Sequence, residues 1–452
     1  MNKNKIIFII IGIVVIFLVF VMIKIANNSG TTNITKKTSP SDFSIWTYGL
    51  DKEKVTSIVN DFKKTNETYN AKNISVENFS NYEDYKQSLT TAMISGKGPD
   101  IFMLNNFEKS YLNENILGIN PAILKTNDFR KNFKTFFGDD LISSQDDSKG
   151  NNIEFVTGIP VGYETLGIYY NRKFNIKSTD LASWAAINNV IDTLKERDSE
   201  IKPIGIYSDK SLNLLADTLT QFFLLSDEKI TGYKKISDIA MKEGFGSYYS
   251  YILDNTTNTG IYTKSNSEKS DLELFSDGDE AMIIGYPSMI NNIDNLGFNK
   301  NFLFAEPFPH YFEGKGKTLT KYNYFVVNKT NKDEKFAFDL LAYFSTESGE
   351  KAFLENFPYL LPALVTLEQD KLQEKIHSSY NLILGDFYKE ANSSLLSSYD
   401  KGITDLYDNG FSSISTDDTN YLEKTKSLIS TVGCKYDKYV KLENLSYDCN
   451  KN

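Results

Sequence analysis

The segment Phe43–Phe62, FSIWTYGLDKEKVTSIVNDF, decides the fold class. Phe43 to Thr47 alternate with the two-residue period of a strand, and Asp51 then stands as a helix N-cap. Behind it Val55, Ile58, Val59 and Phe62 fall at i, i+3, i+4 and i+7, one face of an amphipathic helix. The same order repeats downstream. Ile74 to Phe79 reads as a second strand. Asn81 caps a second helix with Tyr82, Tyr85, Leu89, Ala92 and Met93 on one face, and Gly96, Gly98 and Pro99 end it. Asp100 to Leu104 is almost wholly apolar, the pattern of a strand covered on both faces. Such alternation predicts a largely parallel α/β sheet.

Further along, residues 138–152 read as polar and irregular. Ile159 to Glu164 lead into a strand at Leu166–Tyr170. Strands at Ile204–Tyr207 and Ala281–Gly285, with helices near 183–197 and 211–225, imply a second α/β unit. The two prolines of Phe302–Pro309 favour an extended crossing segment over a helix or a central strand. Tyr324–Val327 reads as a strand, Glu334–Phe344 and Thr346–Asn356 as consecutive helices, and the last hundred or so residues as further helices.

The chain has 452 residues, enough for roughly two to four domains. Hydrophobic residues at 40% and charged residues at 24% describe a folded protein, and two Cys and two His exclude a disulfide mini-protein or a zinc-cluster protein. Net charge is -10, and -13 without the three lysines of residues 1–28, which excludes nucleic acid as a partner. Ile6 to Ile23 run without a charge and span about 27 Å as a helix. With Lys3 and Lys5 ahead of it, this predicts an N-terminal transmembrane anchor (1–28) in the cell membrane, single-pass, with the folded part outside the cytoplasm. Lys24-Ile25-Ala26-Asn27 fits a signal-cleavage site poorly, and no Cys follows for lipidation. Residues 29–42 form a flexible linker spanning on the order of 20 to 24 Å. In an oxidising compartment Cys434 and Cys449 would close a short disulfide loop, contributing about 3 kcal/mol.

Several reactive patterns are missing. The sequence holds no His-Glu-x-x-His helix and no Gly-x-Ser-x-Gly turn. Gly314 to Thr318 lacks the earlier glycine of a phosphate loop, since position 311 is Tyr311, and reads as a solvated turn. Asp405 to Gly410 fails as a calcium loop because Tyr407 and Thr416 occupy ligand positions. His310 and His377 read as ordinary loop or helix residues, and Asp277 with Asp279 as a solvated pair. No enzyme activity, cofactor or metal is expected.

Five segments, in order, resemble the extracellular solute-binding proteins of ABC importers, the family that includes maltose- and other sugar-binding proteins. They are Phe43–Tyr48, Ala92–Phe102 (AMISGKGPDIF), Gly158–Asn171 (GIPVGYETLGIYYN), Phe275–Tyr286 (FSDGDEAMIIGY), and Asn323–Asn328 with the helices through Phe353 and Leu361-Pro362-Ala363. The resemblance covers about residues 43–365. It implies a two-lobed periplasmic-binding-protein-like fold (type II), with a hinge of crossing segments. Lobe 1 would be 43–160 with 308–360 returning to it, and lobe 2 would be 161–307 with 361–452. It also implies a monomer that captures a small polar ligand, a sugar or oligosaccharide, by lobe closure and delivers it to an ABC transporter permease. A sensor or scaffold ectodomain and a glycan hydrolase are the alternatives. The retained N-terminal helix and the Cys434–Cys449 tail depart from the family pattern.

Clefts in such folds collect residues at strand ends and crossing segments. The candidates are Trp46 and Tyr48 after the first strand, Asn105 and Asn106 after the third, and Tyr163 and Glu164 at the first crossing. Tyr286 and Ser288 come from the second lobe, and Tyr322 and Asn323 precede the returning strand. Flat aromatic faces with amide, hydroxyl and carboxylate groups suit a sugar ring. Trp184 reads as a packing residue. Tyr169 and Tyr170 resemble the paired tyrosines of iron-binding relatives but fall inside a strand, where one ring must face the core.

Overall fold

The computed structural model describes residues 43–106, 112–146, 149–198, 201–205, 269–309, 317–367 and 394–397, with scattered helical positions at 217–225 and 423–431. The anchor at Ile6–Ile23, the linker, His310, His377, the 405–416 segment, Cys434 and Cys449 lie outside the described residues. Among the described residues no helix is long and apolar enough to cross a membrane.

The first sheet is built from β1 (Phe43–Tyr48), β2 (Ile74–Phe79) and β3 (Ile101–Asn105), with helices α1 (Lys52–Thr65) and α2 (Tyr82–Ile94) between them. β1 pairs in parallel with β2 and β3. The Asp51 carboxylate accepts from the Lys54 N–H at 2.9 Å and starts α1, which buries Val55, Ile58, Val59 and Phe62. Asn81 caps α2 in the same way, accepting from the Glu83 N–H at 2.7 Å. The chain continues through β4 (Ile116–Leu117), α3 (Thr126–Asn132), α4 (Thr135–Leu141), β5 (Ile142–Asp146), β6 (Asn152–Val156) and β7 (Ile159–Pro160).

Residues 138–152, expected to be irregular, instead end α4 and form the antiparallel ribbon β5–β6. Most of that ribbon's side chains face solvent, so its sequence lacks the apolar alternation by which strands are recognised.

After β8 (Glu164–Thr165) the chain enters a second sheet through β9 (Gly167–Asn171), α5 (Trp184–Arg197), α6 (Asp271–Asp277), β10 (Met282–Gly285), α7 (Ile290–Asn295) and β11 (Leu303–Pro307). β9 is central and antiparallel to both β10 and β11. The segment with two prolines is therefore a strand, at the edge of its sheet among the described residues and with Pro307 at its end, where a missing N–H costs least. Trp184 is buried, its ring 5.0 Å from Phe222 and 5.6 Å from Phe308, so it packs. Tyr169 and Tyr170 are both buried. The Tyr169 hydroxyl contacts the carbonyl oxygens of Tyr286 and Pro287 at 3.0 Å each.

The chain returns through β12 (Lys317–Lys321) to β13 (Asn323–Asn328), α8 (Glu334–Phe344) and α9 (Glu347–Asn356); β14 (Ser394–Ser397) pairs with β12. Lys317 and Thr318 thus begin a strand, with Thr318 fully buried, where a solvated turn was expected. β13 enters the first sheet antiparallel to β3, giving the order β2-β1-β3-β13-β4 with β7 also on β13. That sheet is mixed rather than largely parallel, because the returning strand comes from the other sheet and runs the opposite way. Phe336, Leu340, Phe344 and Phe353 complete the first core, which continues through Leu361, Ala363, Leu364 and Leu367.

Asp100 is the one charged residue in this layer's apolar Asp100–Leu104 segment, and it is buried. Its carboxylate accepts from the Ser44 N–H at 2.8 Å, the Ser44 hydroxyl at 3.0 Å and the Lys332 N–H at 2.8 Å, joining β1, β3 and the loop before α8. Asp100→Ala strands two backbone donors, at roughly 1–3 kcal/mol each. Urea unfolding of that variant is expected to show a loss of about 2–6 kcal/mol with an unchanged slope; wild-type stability would show that the latch contributes nothing.

Candidate functional site

Three stretches of chain lie side by side where the two sheets meet. Residues 161–166 leave β7 for β9, residues 317–322 lead into β13, and residues 359–364 follow α9. β8 and β12 pair antiparallel, setting Thr165 opposite Thr320 and Glu164 opposite Lys321. The Tyr163 N–H donates to the Leu361 carbonyl at 2.9 Å, and the Leu361 N–H returns a bond to the Tyr163 carbonyl at 2.8 Å. Gly162 sits between them at φ +123°, where a Cβ would lie 2.9 Å from Leu360 Cβ and 3.0 Å from the Leu361 carbonyl oxygen. Only glycine permits both that dihedral and that approach.

A cavity of about 200 Å³ opens over this junction, lined by Tyr48, Gly49, Leu50, Val161, Gly162, Glu164, Ser288, Lys321, Asn323, Tyr359 and Leu360. Four of the ten candidate residues meet there: Tyr48, Glu164, Ser288 and Asn323. The Tyr48 hydroxyl donates to Asn323 Oδ1 at 2.7 Å and accepts from Asn105 Nδ2 at 3.1 Å, so Asn105 stands one hydrogen bond behind the wall. Glu164 is buried, and its Oε1 accepts from the Ser288 N–H at 2.7 Å. Burial pushes the Glu164 carboxyl up, while the Lys321 charge and the Ser288 contact oppose the shift.

The other five candidates pack around the site without lining this cavity. Trp46 rests on Phe79, ring centroids 5.3 Å apart. Asn106 ties backbone together, donating to the Thr320 carbonyl at 2.8 Å and accepting from the Tyr322 N–H at 3.0 Å. Tyr163 is fully buried against Phe136, at 5.5 Å. Tyr322 donates to Asp140 at 2.7 Å and Tyr286 to Asp217 at 2.7 Å. Burial and the neighbouring acid push both phenols well up, so each stays a donor.

Two lining groups escaped the sequence reading. Lys321 lies two residues before Asn323, and its ammonium sits 5.0 Å from the Tyr286 ring centroid. Tyr359 arrives on the third segment, its phenol raised by burial and by the Glu164 charge. A second cavity, about 280 Å³, lies between Phe174–Asp180 and α5 and contains none of the ten candidates. Among the described residues no group of three or more His, Cys, Asp and Glu could hold a metal ion.

The profile of bacterial extracellular solute-binding proteins matches residues 57–377. The chain belongs to that family. Its two-lobed α/β fold is similar to an ABC substrate-binding protein from Listeria monocytogenes solved with cycloalternan, at 14% identity and TM-score 0.64, covering 88% of this chain and 98% of that one. It is also similar to a maltodextrin-binding protein from L. casei solved without ligand, at 16% and 0.60, covering 88% and 99%. The GacH receptor of Streptomyces glaucescens, solved unliganded and with acarbose, matches at 14% and 0.62, covering 90% and 100%. Among curated proteins none matches the chain.

The third segment is held by Glu350, a buried carboxylate that accepts from the Ala363 N–H and, at 3.0 Å, from the Leu364 N–H. Burial outweighs those bonds and the Lys134 charge, and its pKa is pushed up to about 7. The folded state therefore binds this proton more tightly than an unfolded glutamate does. The resulting stabilisation is complete below about pH 4.3 and is lost as pH rises through about 7. In Glu350→Gln, whatever its constant cost, the fall in unfolding free energy between those limits is expected to be shallower by about 3 kcal/mol. An unchanged pH slope would remove Glu350 as its source. Gly162→Ala, forced into a strained dihedral against Leu360, is expected to lose roughly 1–3 kcal/mol in thermal unfolding; a neutral result would mean the junction is looser than its contacts.

Proposed function

We propose that this chain is a membrane-anchored, extracytoplasmic receptor that captures a sugar or oligosaccharide between its lobes and hands it, unaltered, to an ABC permease. The observation that carries the reading is the pocket at the crossing segments. There an acid, an ammonium, two phenols and an amide converge on one cavity beside a glycine-lined wall. These groups offer hydrogen bonds in both directions, as a polyhydroxyl ligand requires. The sugars bound in the solved relatives support the same class.

On this reading the chain acts as a type II monomer, anchored through Ile6–Ile23 and without covalent chemistry. Lobe 1 holds 43–160 and the returning 308–360, and lobe 2 holds 161–307. Packing of Leu361 to Leu367 in the first core favours drawing lobe 1 on to 367. Ligand would favour the closed arrangement by its greater affinity for it.

Thermal unfolding of the full chain in detergent, with maltotetraose, cycloalternan or acarbose at millimolar concentration, tests this. A binder at a hundredfold over its Kd is expected to stabilise by about 2.7 kcal/mol and to shrink the scattering radius. Stabilisation by peptides or amino acids, with none by any sugar, would replace the ligand class; binding without compaction would remove lobe closure.

A further inference from the structure

The only charged side chains lining the central cavity, among the described residues, are Glu164 and Lys321. They face each other across the β8–β12 pair. Glu164 spends Oε1 on the Ser288 N–H, and its Oε2 makes no hydrogen bond with a described residue. The half-buried Lys321 ammonium rests over the Tyr286 ring and makes no hydrogen bond or ion pair with a described residue. Asp217, the next acid, sits behind Tyr286, accepts its phenol at 2.7 Å and does not line the cavity. The wall therefore presents one open acceptor and one open donor of opposite charge, with the Tyr359 phenol beside them.

Directly opposed residues on neighbouring antiparallel strands have Cβ atoms roughly 4.5–5.5 Å apart. A charge on a ligand that reaches one of this pair is thus well within a Debye length, about 8 Å, of the other. An ammonium drawn to Glu164 is repelled by Lys321, and a carboxylate drawn to Lys321 is repelled by Glu164. The attractions largely cancel, while the ligand's lost hydration does not return. A neutral ring carries no such cost, and it still finds an acceptor for one hydroxyl and a donor for its neighbour.

We infer that Lys321 is a specificity-determining residue which, balanced against Glu164, makes the pocket select an uncharged polyhydroxyl ring over amino sugars and uronic acids. One ligand hydroxyl donates to Glu164 Oε2 and an adjacent oxygen accepts from Lys321 Nζ. The inference rests on the sugar-binding reading and adds the charge class of the ligand and the residue that sets it.

Calorimetry on the full chain in detergent, with glucose, glucosamine and glucuronate as probes sharing one ring stereochemistry, tests it. Wild type is expected to prefer glucose. Lys321→Gln leaves the acid alone and should shift the glucosamine-to-glucose affinity ratio upward by roughly tenfold or more, and Glu164→Gln should do the same for glucuronate. The double variant should lose both preferences. Ratios within one variant cancel any general loss of affinity or folding. Ratios unchanged across the variants, a charged sugar preferred by wild type, or no binding of any of the three would overturn the inference. Maltotetraose binding alongside such a failure leaves the sugar-binding reading standing, and its absence removes both.

Discussion

Backbone hydrogen bonding among the three crossing segments is the constraint on which the rest depends. Residues 161–166 and 317–323 are locked by the β8–β12 register, and the paired bonds between Tyr163 and Leu361 add the third segment. Each segment also continues into a buried element of the first core: β7, β13, or the Leu361–Leu367 run held by Glu350. A side chain on any of them is placed by two sheets at once. Glu164, Lys321, Asn323 and Tyr359 converge for that reason, although they lie up to almost two hundred residues apart in sequence.

The same constraint decides which member of two adjacent candidate pairs, Tyr163–Glu164 and Tyr322–Asn323, meets the cavity. Extended chain sends neighbouring side chains to opposite faces. Tyr163 goes into the aromatic core beside Phe136 while Glu164 turns to the pocket. Tyr322 goes to Asp140 and Asn323 to the pocket. Period two was available in the sequence and sorts these pairs, and it would also have found Lys321, which shares a face with Asn323. Nothing local marks Tyr359. Its place is set by the long-range pairing of Leu361 with Tyr163, and no periodicity within 357–363 encodes that.

Legibility of the fold follows the same division between local and distant causes. Phe43–Asn105 was readable because its strands are covered on at least one face and its helices carry Asp51 and Asn81 as side-chain caps. The β5–β6 ribbon was not, because exposed strands lack an apolar signature. The antiparallel entry of β13 was also hidden. Strand direction depends on which sheet the chain has just left, and that is a property of topology rather than of any stretch of residues.

The cavity's size bears on how such a site could work. At about 200 Å³ it falls below the roughly 300–1,000 Å³ of most small-molecule pockets, and Tyr359 and Leu360 form part of its wall. On the proposed function an oligosaccharide would extend beyond this cavity, and closure of the lobes around it would be absorbed in the crossing segments. Those segments suit the task physically. β7 and β8 are two residues each, so few ladder bonds resist a change in dihedral angles, and Gly162 already occupies a conformation closed to other residues. The polar wall is built differently: Tyr48, Asn105 and Asn323 are bonded to one another, and Glu164 is fixed by a backbone amide. On the proposed function, compliance in the backbone beside preorganised side chains would let ligand contacts shift the open–closed balance while little is spent on ordering the binding groups themselves.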